Sequence, residues 1–316
     1  MTPESGSVDR SGAGPGPVRA PFRCVTVQRQ FDRRAPGFAG ASAVVREVGG
    51  RLFERLDTIR HEAGLVVDLG CGAGLQRAAL LKRFAHATWI GIDLSRGMLA
   101  QAADEASAFV RRLPRALQPR SRTLRVCANA DRLPLADASA DCVFSNLMLH
   151  WHPAPHQVFP EVARVLREGG LFLFSSLGPD TLRELRQACA LALAHPRPMP
   201  FVDMHDLGDM MVAAGFSSPV TDSETIRLTY GSARQLLAEV RVLGGNPRDD
   251  RDPGLPSGRR ARALVAELEA QRGGDGRIGL TFEISYGLGW KAPPRASAGS
   301  ATTISVEALR GQLRRR

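Results

Sequence analysis

The chain has 316 residues, 43% hydrophobic, 23% charged and 6% aromatic, with a formal net charge of +10. No stretch reaches the roughly 18 to 20 apolar residues of a membrane-spanning helix, which excludes an integral helical membrane protein and leaves room for one substantial core with a smaller appendage. The charge does not mark a nucleic-acid binder: the only lysines are Lys82 and Lys291, so the basic residues are nearly all arginine, a genome-like skew without the interleaved aromatics of a stacking platform.

Arginines cluster at Arg111, Arg112, Arg115, Arg120 and Arg122, at Arg259, Arg260 and Arg262, and at Arg314 to Arg316. They read as solvated faces, with a surface for an acidic partner as the alternative, which an acidic protein fits as well as RNA does. The cysteines, Cys24, Cys71, Cys127, Cys142 and Cys189, form no paired or metal-ligand spacing, so neither a disulfide framework nor a metal site is expected.

Residues 1–22 are rich in Gly, Pro and Ser and lack the apolar region of a secretory signal, which predicts a disordered tail on a cytoplasmic protein. "GLVVDLG" (64–70) predicts a buried strand, and the "AGLQRAALLKRF" after it a helix. "ATWIGIDLS" repeats the pattern, with Ser95 placed to cap the helix "RGMLAQAADEASAFV". "TLRVCANAD" and "ADCVFSNL" predict a third and fourth strand. "PHQVFPEVARVLREGG" predicts an amphipathic helix closed by glycines, and "LFLFSSLG" a fifth strand. Such alternation means a doubly wound α/β fold with a mostly parallel sheet. Beyond Pro179 come helical "DTLRELRQACALALAH", a Pro-rich bend, the helix "MHDLGDMMVAAGF" with Gly215 as its C-terminal cap, and a strand over Glu224 to Tyr230. Two further helices flank a loop from Gly244 to Arg259, and the strand "LTFEISYGLGW" ends the series.

The loop after the first strand reads Gly70-x-Gly72-x-Gly74 and follows Asp68. A dinucleotide loop wants GxGxxG, and a P-loop wants a Lys-Ser/Thr that is missing here. An acid at Asp68 repels a pyrophosphate and suits a cationic ammonium or sulfonium group. Asp93 ends the second strand, where a carboxylate can accept both hydroxyls of a ribose, as it also does in dehydrogenases. Asp131 follows the third strand, where an acid can accept from an adenine amino group, and Asn146 ends the fourth. Turn and helix capping are the alternative readings of Asp131 and Asn146.

These stretches resemble the class I S-adenosylmethionine-dependent methyltransferases over roughly Phe31 to Lys291, through "VVDLGCGAG", "IGIDLSRGML", "ADRLPLADASADCVFSNLMLHW" and "EVARVLREGGLFLFSSLG". The resemblance implies a Rossmann-like seven-stranded sheet with its last pair reversed, and S-adenosylmethionine as cofactor. It implies that Asp68, Gly70, Cys71, Gly72 and Gly74 surround the methionine part, Asp93 and Leu94 the ribose, Asp131 and Arg132 the adenine edge, and Asn146 the sulfonium side. It also divides the chain into an N-terminal lid (23–62), a cofactor-binding core (63–178), a substrate and cap part (179–292) and a flexible basic tail (293–316).

"VQRQFDRRAPGFAGASAVVREVGGRLFERLDTIR", "SNLMLHW", "LGPDTLREL", "FVDMHDLGDMMVAAGF" and "TFEISYGLGWK" look like the biotin-pathway malonyl-acyl-carrier-protein O-methyltransferases. That implies esterification of the free carboxylate of a malonyl thioester on acyl-carrier protein, with no nucleic acid or membrane as partner. A related arginine hydroxylase and assembly factor of complex I shares similar stretches, and a non-enzymatic module binding the same cofactor is a further alternative. Phe38 stands where the lid usually has a tyrosine, and Pro200 where many carrier-protein enzymes show a basic residue.

Methyl transfer to an ionised carboxylate needs no strong general base, so positioning is the chief demand. A carboxylate grip calls for an arginine, with Arg183, Arg186 and Arg197 in range. His150 and Trp151, directly after the fourth strand, are expected to position the substrate. Phe38 and Phe31 are expected to cover the cofactor, and Phe38, Arg183 and Tyr286 to bind substrate.

Overall fold

The computed structural model describes residues 21–38, 40, 43–102, 123–193, 197–250 and 258–293. The expected tail up to residue 20, most of the tail 293–316, the second half of the helix after Ser95, and the arginines of 111–122 and 314–316 lie outside the described residues. Phe22, at the end of the expected N-terminal tail, is instead buried with Val27 and Met199.

Two helices, α1 (Cys24–Phe38) and α2 (Ala43–Asp57), precede the sheet. Strands β1 (Leu65–Leu69), β2 (Thr88–Asp93), β3 (Thr123–Cys127), β4 (Ala140–Asn146) and β5 (Leu166–Leu177) alternate with α3 (Arg77–Arg83), α4 (Arg96–Gln101) and α5 (Val158–Val165). After them come α6 (Arg183–Ala192), α7 (Met204–Ala213), β6 (Phe216–Tyr230), α8 (Ala233–Val242), α9 (Gly258–Glu269) and β7 (Ile278–Lys291). The seven strands form one sheet in the order β3-β2-β1-β4-β5-β7-β6. Of the last pair, only β7 is reversed: it pairs antiparallel with both β5 and β6, so β6 runs with the rest.

Helices cover both faces of the sheet, and each face has its own apolar core. One gathers Val48, Leu52 and Leu56 of α2, Leu80 of α3, Ala188 of α6 and Leu236 of α8. The other gathers Val158, Phe159 and Val162 of α5 with Leu207 and Met211 of α7. Nearly continuous apolar runs such as β4 and β5 follow from this two-sided burial. Among the described residues no helix is long and apolar enough to cross a membrane.

Three boundaries differ from the sequence expectation. The helix expected through Gly170 stops at Val165, because Leu166 is already extended and Gly169 turns with φ +69°, so the glycines serve an irregular start of β5 rather than a helix end. The first sheet helix begins at Arg77, four residues after Ala73, since the glycine loop turns on itself through Gly74 N–H to Cys71 O (2.8 Å). The strand expected over Glu224 to Tyr230 starts at Phe216, its alternating exposed positions having hidden it. Ser95 does cap α4, accepting from Met98 N–H, and Gly215 ends α7 with φ +82°.

Candidate active site

The strand order places the switch point between β1 and β4, where successive crossovers leave in opposite directions and a crevice opens beyond the strands' carboxyl ends. A cavity of about 630 Å³ lies there. Gly70 to Gly72 after β1, Asp93 to Ser95 after β2, Ala128 to Ala130 after β3 and Asn146 to Met148 after β4 form its floor, and α1, α2 and α6 wall it.

Glycine is required at two points of the floor. Gly70 has φ +75°, and a Cβ there would overlap Met148. Gly72 has φ +53°, and its bare Cα side faces the Phe38 ring. The loop is tied to β2 by Gly70 N–H to Ile92 O (2.7 Å) and by Gly72 N–H to Asp93 Oδ2 (2.8 Å). Ser95 N–H donates to Asp93 Oδ1 (2.7 Å). Each Asp93 oxygen thus keeps a further lone pair for the cavity, the arrangement that two vicinal hydroxyls need. Gly74 faces elsewhere: a Cβ there would press on Ala102, so its role is close packing of loop and helix.

Asp68 lies beneath this floor and does not line the cavity. Its carboxyl is 2% exposed, its Oδ2 has no hydrogen-bond partner among the described residues, and burial pushes it up to about 7. Any attraction for a cation therefore acts from below the loop and with a partly neutralised group, weaker than the sequence suggested.

Phe38, Cys71, Leu94, Asn146, His150 and Trp151 all line the cavity. The Asn146 amide is already engaged: its Nδ2 donates to Val45 O of α2 (2.8 Å) and its Oδ1 accepts from Ser175 Oγ (2.8 Å). Gln76 also donates to Val45 O (3.3 Å), so both side chains fasten α2 to the floor. The Phe31 ring meets Phe38 edge-on at 6.2 Å and Trp151 at 5.1 Å, giving the cavity an aromatic roof. Burial pushes the His150 imidazole down to about 3, so it is neutral at ordinary pH, and its Nδ1 has no partner among the described residues.

Asp131 and Arg132 lie outside the lining, which includes Asn129 and Ala130 just before them. Asp131 Oδ2 sits 3.2 Å from Nε2 of His152, a lining residue the sequence reading passed over. Ala154 N–H donates to His152 Nδ1 (3.2 Å), which leaves the ring proton on Nε2 facing Asp131. Asp32 of α1 was also missed: its Oδ1 accepts from Ser95 Oγ (2.6 Å) and Gly97 N–H (2.9 Å), an acid at the start of α4 that ties α1 to the end of β2. The signal in the sequence was only an acid within "QFDRR"; its target lies 63 residues away.

Residues 67–174 match the model of a methyltransferase domain. Proteins named malonyl-[acyl-carrier protein] O-methyltransferase are similar along most of their length. The one from Methylovorus sp. is 39% identical over 86% of this chain and 90% of its own, and that from Halorhodospira halophila 36% identical over 92% and 96%. The chain belongs to the malonyl-[acyl-carrier protein] O-methyltransferase family. Its fold is also that of the YcgJ protein of Bacillus subtilis, with a TM-score of 0.53 at 18% identity over 77% of this chain and 98% of the other. A phosphoethanolamine N-methyltransferase of Haemonchus contortus matches with a TM-score of 0.53 at 15% identity, covering 84% and 60%.

For a family member, two of the expected substrate residues are misplaced. Arg183 is exposed, outside the lining, and near Asp180 (3.9 Å) and Glu184 (3.6 Å). Tyr286 is 1% exposed and is not part of the cavity lining, donating instead to Glu224 Oε1 (2.5 Å) while the Arg55 guanidinium stacks 3.6 Å from its ring centroid. Arg51 also binds Glu224, so this group anchors α2 to the outer strands. Tyr286→Phe is therefore expected to lower stability by about 1.5–3 kcal/mol, the usual worth of a hydrogen bond to a charged group, with KM unchanged within about twofold. Denaturant titration and steady-state kinetics check this, and a large KM change would restore Tyr286 to the site.

Burial raises the Asp93 carboxyl to about 6, above the ordinary carboxylate value, against the backbone donors of Ser95, Gly72 and Leu94 that favour its charge. A ribose diol needs the ionised form. Cofactor affinity is accordingly expected to hold above about pH 7 and then to fall by up to about tenfold per unit below the shifted value. For folding the sign is opposite: a raised folded value adds stability at low pH and loses it as pH rises through about 6. Calorimetric titration of the cofactor at several pH values tests the first statement, and a flat profile contradicts it.

Proposed function

We propose that the chain uses S-adenosylmethionine to esterify the free carboxylate of a malonyl thioester on acyl-carrier protein, an early step in building the pimeloyl part of biotin. The observation that carries this is the union, in one cavity, of a glycine and Asp93 rim suited to an adenosyl group with a largely apolar wall that includes α6, Met199, Phe201 and Phe282. Relatives bearing that name span nearly all of this chain, which supports the same substrate class.

The cofactor supplies an electrophilic methyl group. Asp93 holds its ribose end, and Gly70 and Gly72 let the backbone approach the methionine end. Phe31, Phe38 and Trp151 exclude water above it, which strengthens polar contacts inside. Neutral His150 offers a ring nitrogen to a substrate oxygen without bringing a charge. No residue is needed to remove a proton, because a malonyl carboxylate is ionised near pH 7.

Arg259 and Arg262 are exposed on the first turn of α9, next to Arg260 at the cavity. A basic patch beside the mouth suits an acidic carrier protein and speeds encounter at low salt. The reading is tested by transfer of labelled methyl to malonyl-carrier protein but not acetyl-carrier protein, and by restored growth without biotin in a host lacking its own enzyme. Soluble protein with neither activity would overturn it.

A further inference from the structure

We infer that Arg186 binds the substrate carboxylate and so makes the enzyme select a malonyl over an uncharged acyl group; this rests on the function proposed above. On and beside α6, Leu182, Leu185, Cys189, Ala190 and Leu193 line the cavity, at the three- and four-residue steps that make one helical stripe. Arg186 lies in the same stripe and is its only charged member.

The other arginines in range are committed. Arg183 points away from the cavity toward Asp180 and Glu184. Arg197 lines the cavity, but its Nη1 lies 2.8 Å from Asp250 Oδ2. Arg260 lines it too and already has an interaction of its own. Arg186 is half-buried, and its guanidinium has neither ion pair nor hydrogen bond among the described residues. A planar, permanently charged donor against an apolar wall is costly until an anion meets it, and its paired N–H groups match a carboxylate.

The chemistry fixes what such a grip does. One carboxylate oxygen accepts from Arg186 while the other attacks the methyl carbon. The new C–O bond takes its electrons from the oxygen, the S–C pair returns to sulfur, and no proton moves. Negative charge declines on the way to the transition state, so the interaction is strongest with bound substrate and serves recognition and aim more than barrier lowering. The neutral ester loses its hold on Arg186, which favours release.

The test compares Arg186→Ala and Arg186→Lys with the unaltered enzyme in equilibrium binding of malonyl- and acetyl-carrier protein, in cofactor affinity and in kinetics. Arg186→Ala is expected to weaken malonyl-carrier binding and raise KM by roughly 10- to 100-fold, with kcat much less affected, as for a lost charge-assisted hydrogen bond. Acetyl-carrier binding and cofactor affinity stay unchanged, and lysine, keeping the charge without the fork, falls between. Lysine also gives the answer should alanine fail to fold. Malonyl-carrier affinity within about twofold of the unaltered enzyme, or equal losses for both carriers, would overturn the assignment. The unaltered enzyme separates the two claims: methylation by it, with an indifferent Arg186→Ala, defeats this inference alone, whereas no methylation by it defeats the proposed function and this inference together.

Discussion

Asp93→Ala is expected to weaken S-adenosylmethionine binding by roughly 100-fold or more, while the protein remains folded. Two ribose hydroxyls donating to one carboxylate are charge-assisted hydrogen bonds, each worth about 1.5–3 kcal/mol, and alanine offers no acceptor in their place. The same carboxylate receives Gly72 N–H and Ser95 N–H, so its loss also loosens the glycine loop at the cavity floor. Stability moves less, because two opposed effects meet. The two N–H groups lose a partner but face a cavity that admits water, and removing a carboxyl that burial has raised to about 6 relieves a desolvation cost. Asp93→Asn keeps one acceptor oxygen but turns an amide toward a backbone N–H, so it should lie nearer to alanine than to aspartate. Calorimetric titration beside a thermal melt decides; a dissociation constant equal to that of the unaltered protein would remove Asp93 from the ribose site.

The second large effect concerns stability. Gly91→Ala places a methyl group where the Trp89 ring already lies, with Cys71 Sγ close by. Trp89 is completely buried, among the largest side chains so enclosed, and shares its side of β2 with residue 91. In register Asp68 stands opposite Gly91 on β1, so the missing side chain leaves the space that the indole occupies near that carboxyl. A displaced ring would press on the glycine loop through Cys71. Overpacking of this kind costs about 1–3 kcal/mol and more where nothing can yield; at least about 2 kcal/mol is expected, with a Tm lower by several degrees. An unchanged melting curve would mean that Trp89 has room the structure does not show.

How far the sequence alone reached is plain from particular residues. Gly70, Gly72, Asp93 and Asn146 stand at strand ends, and each was found by a short local pattern: apolar run, turn residue, helix start. Such patterns carry positional meaning because a parallel sheet sends every strand's carboxyl end to the same edge. Ser95 and Gly215 were legible for the same reason, since caps act over three or four residues. Arg186 was one of three arginines that the sequence could not rank, and Tyr286 carried no sign of its direction. Both depend on facing, which follows from how a helix is rotated on the sheet or in which register a strand pairs.

The amino-acid sequence by itself determined the order of strands and helices, the glycine floor, the acid at the end of β2 and the family of the chain, because these depend on contacts among near neighbours. Only the tertiary structure decided that Asp68 lies under the floor, that Asp32 and Val45 fasten α1 and α2, that Tyr286 braces α2 through Glu224, and that Arg186 lines the cavity. Those outcomes join residues 29 to 101 positions apart, or more, in such pairs as Asn146 with Ser175 and with Val45. Distances of that kind are set by sheet order and by burial on both faces, and no local pattern encodes them.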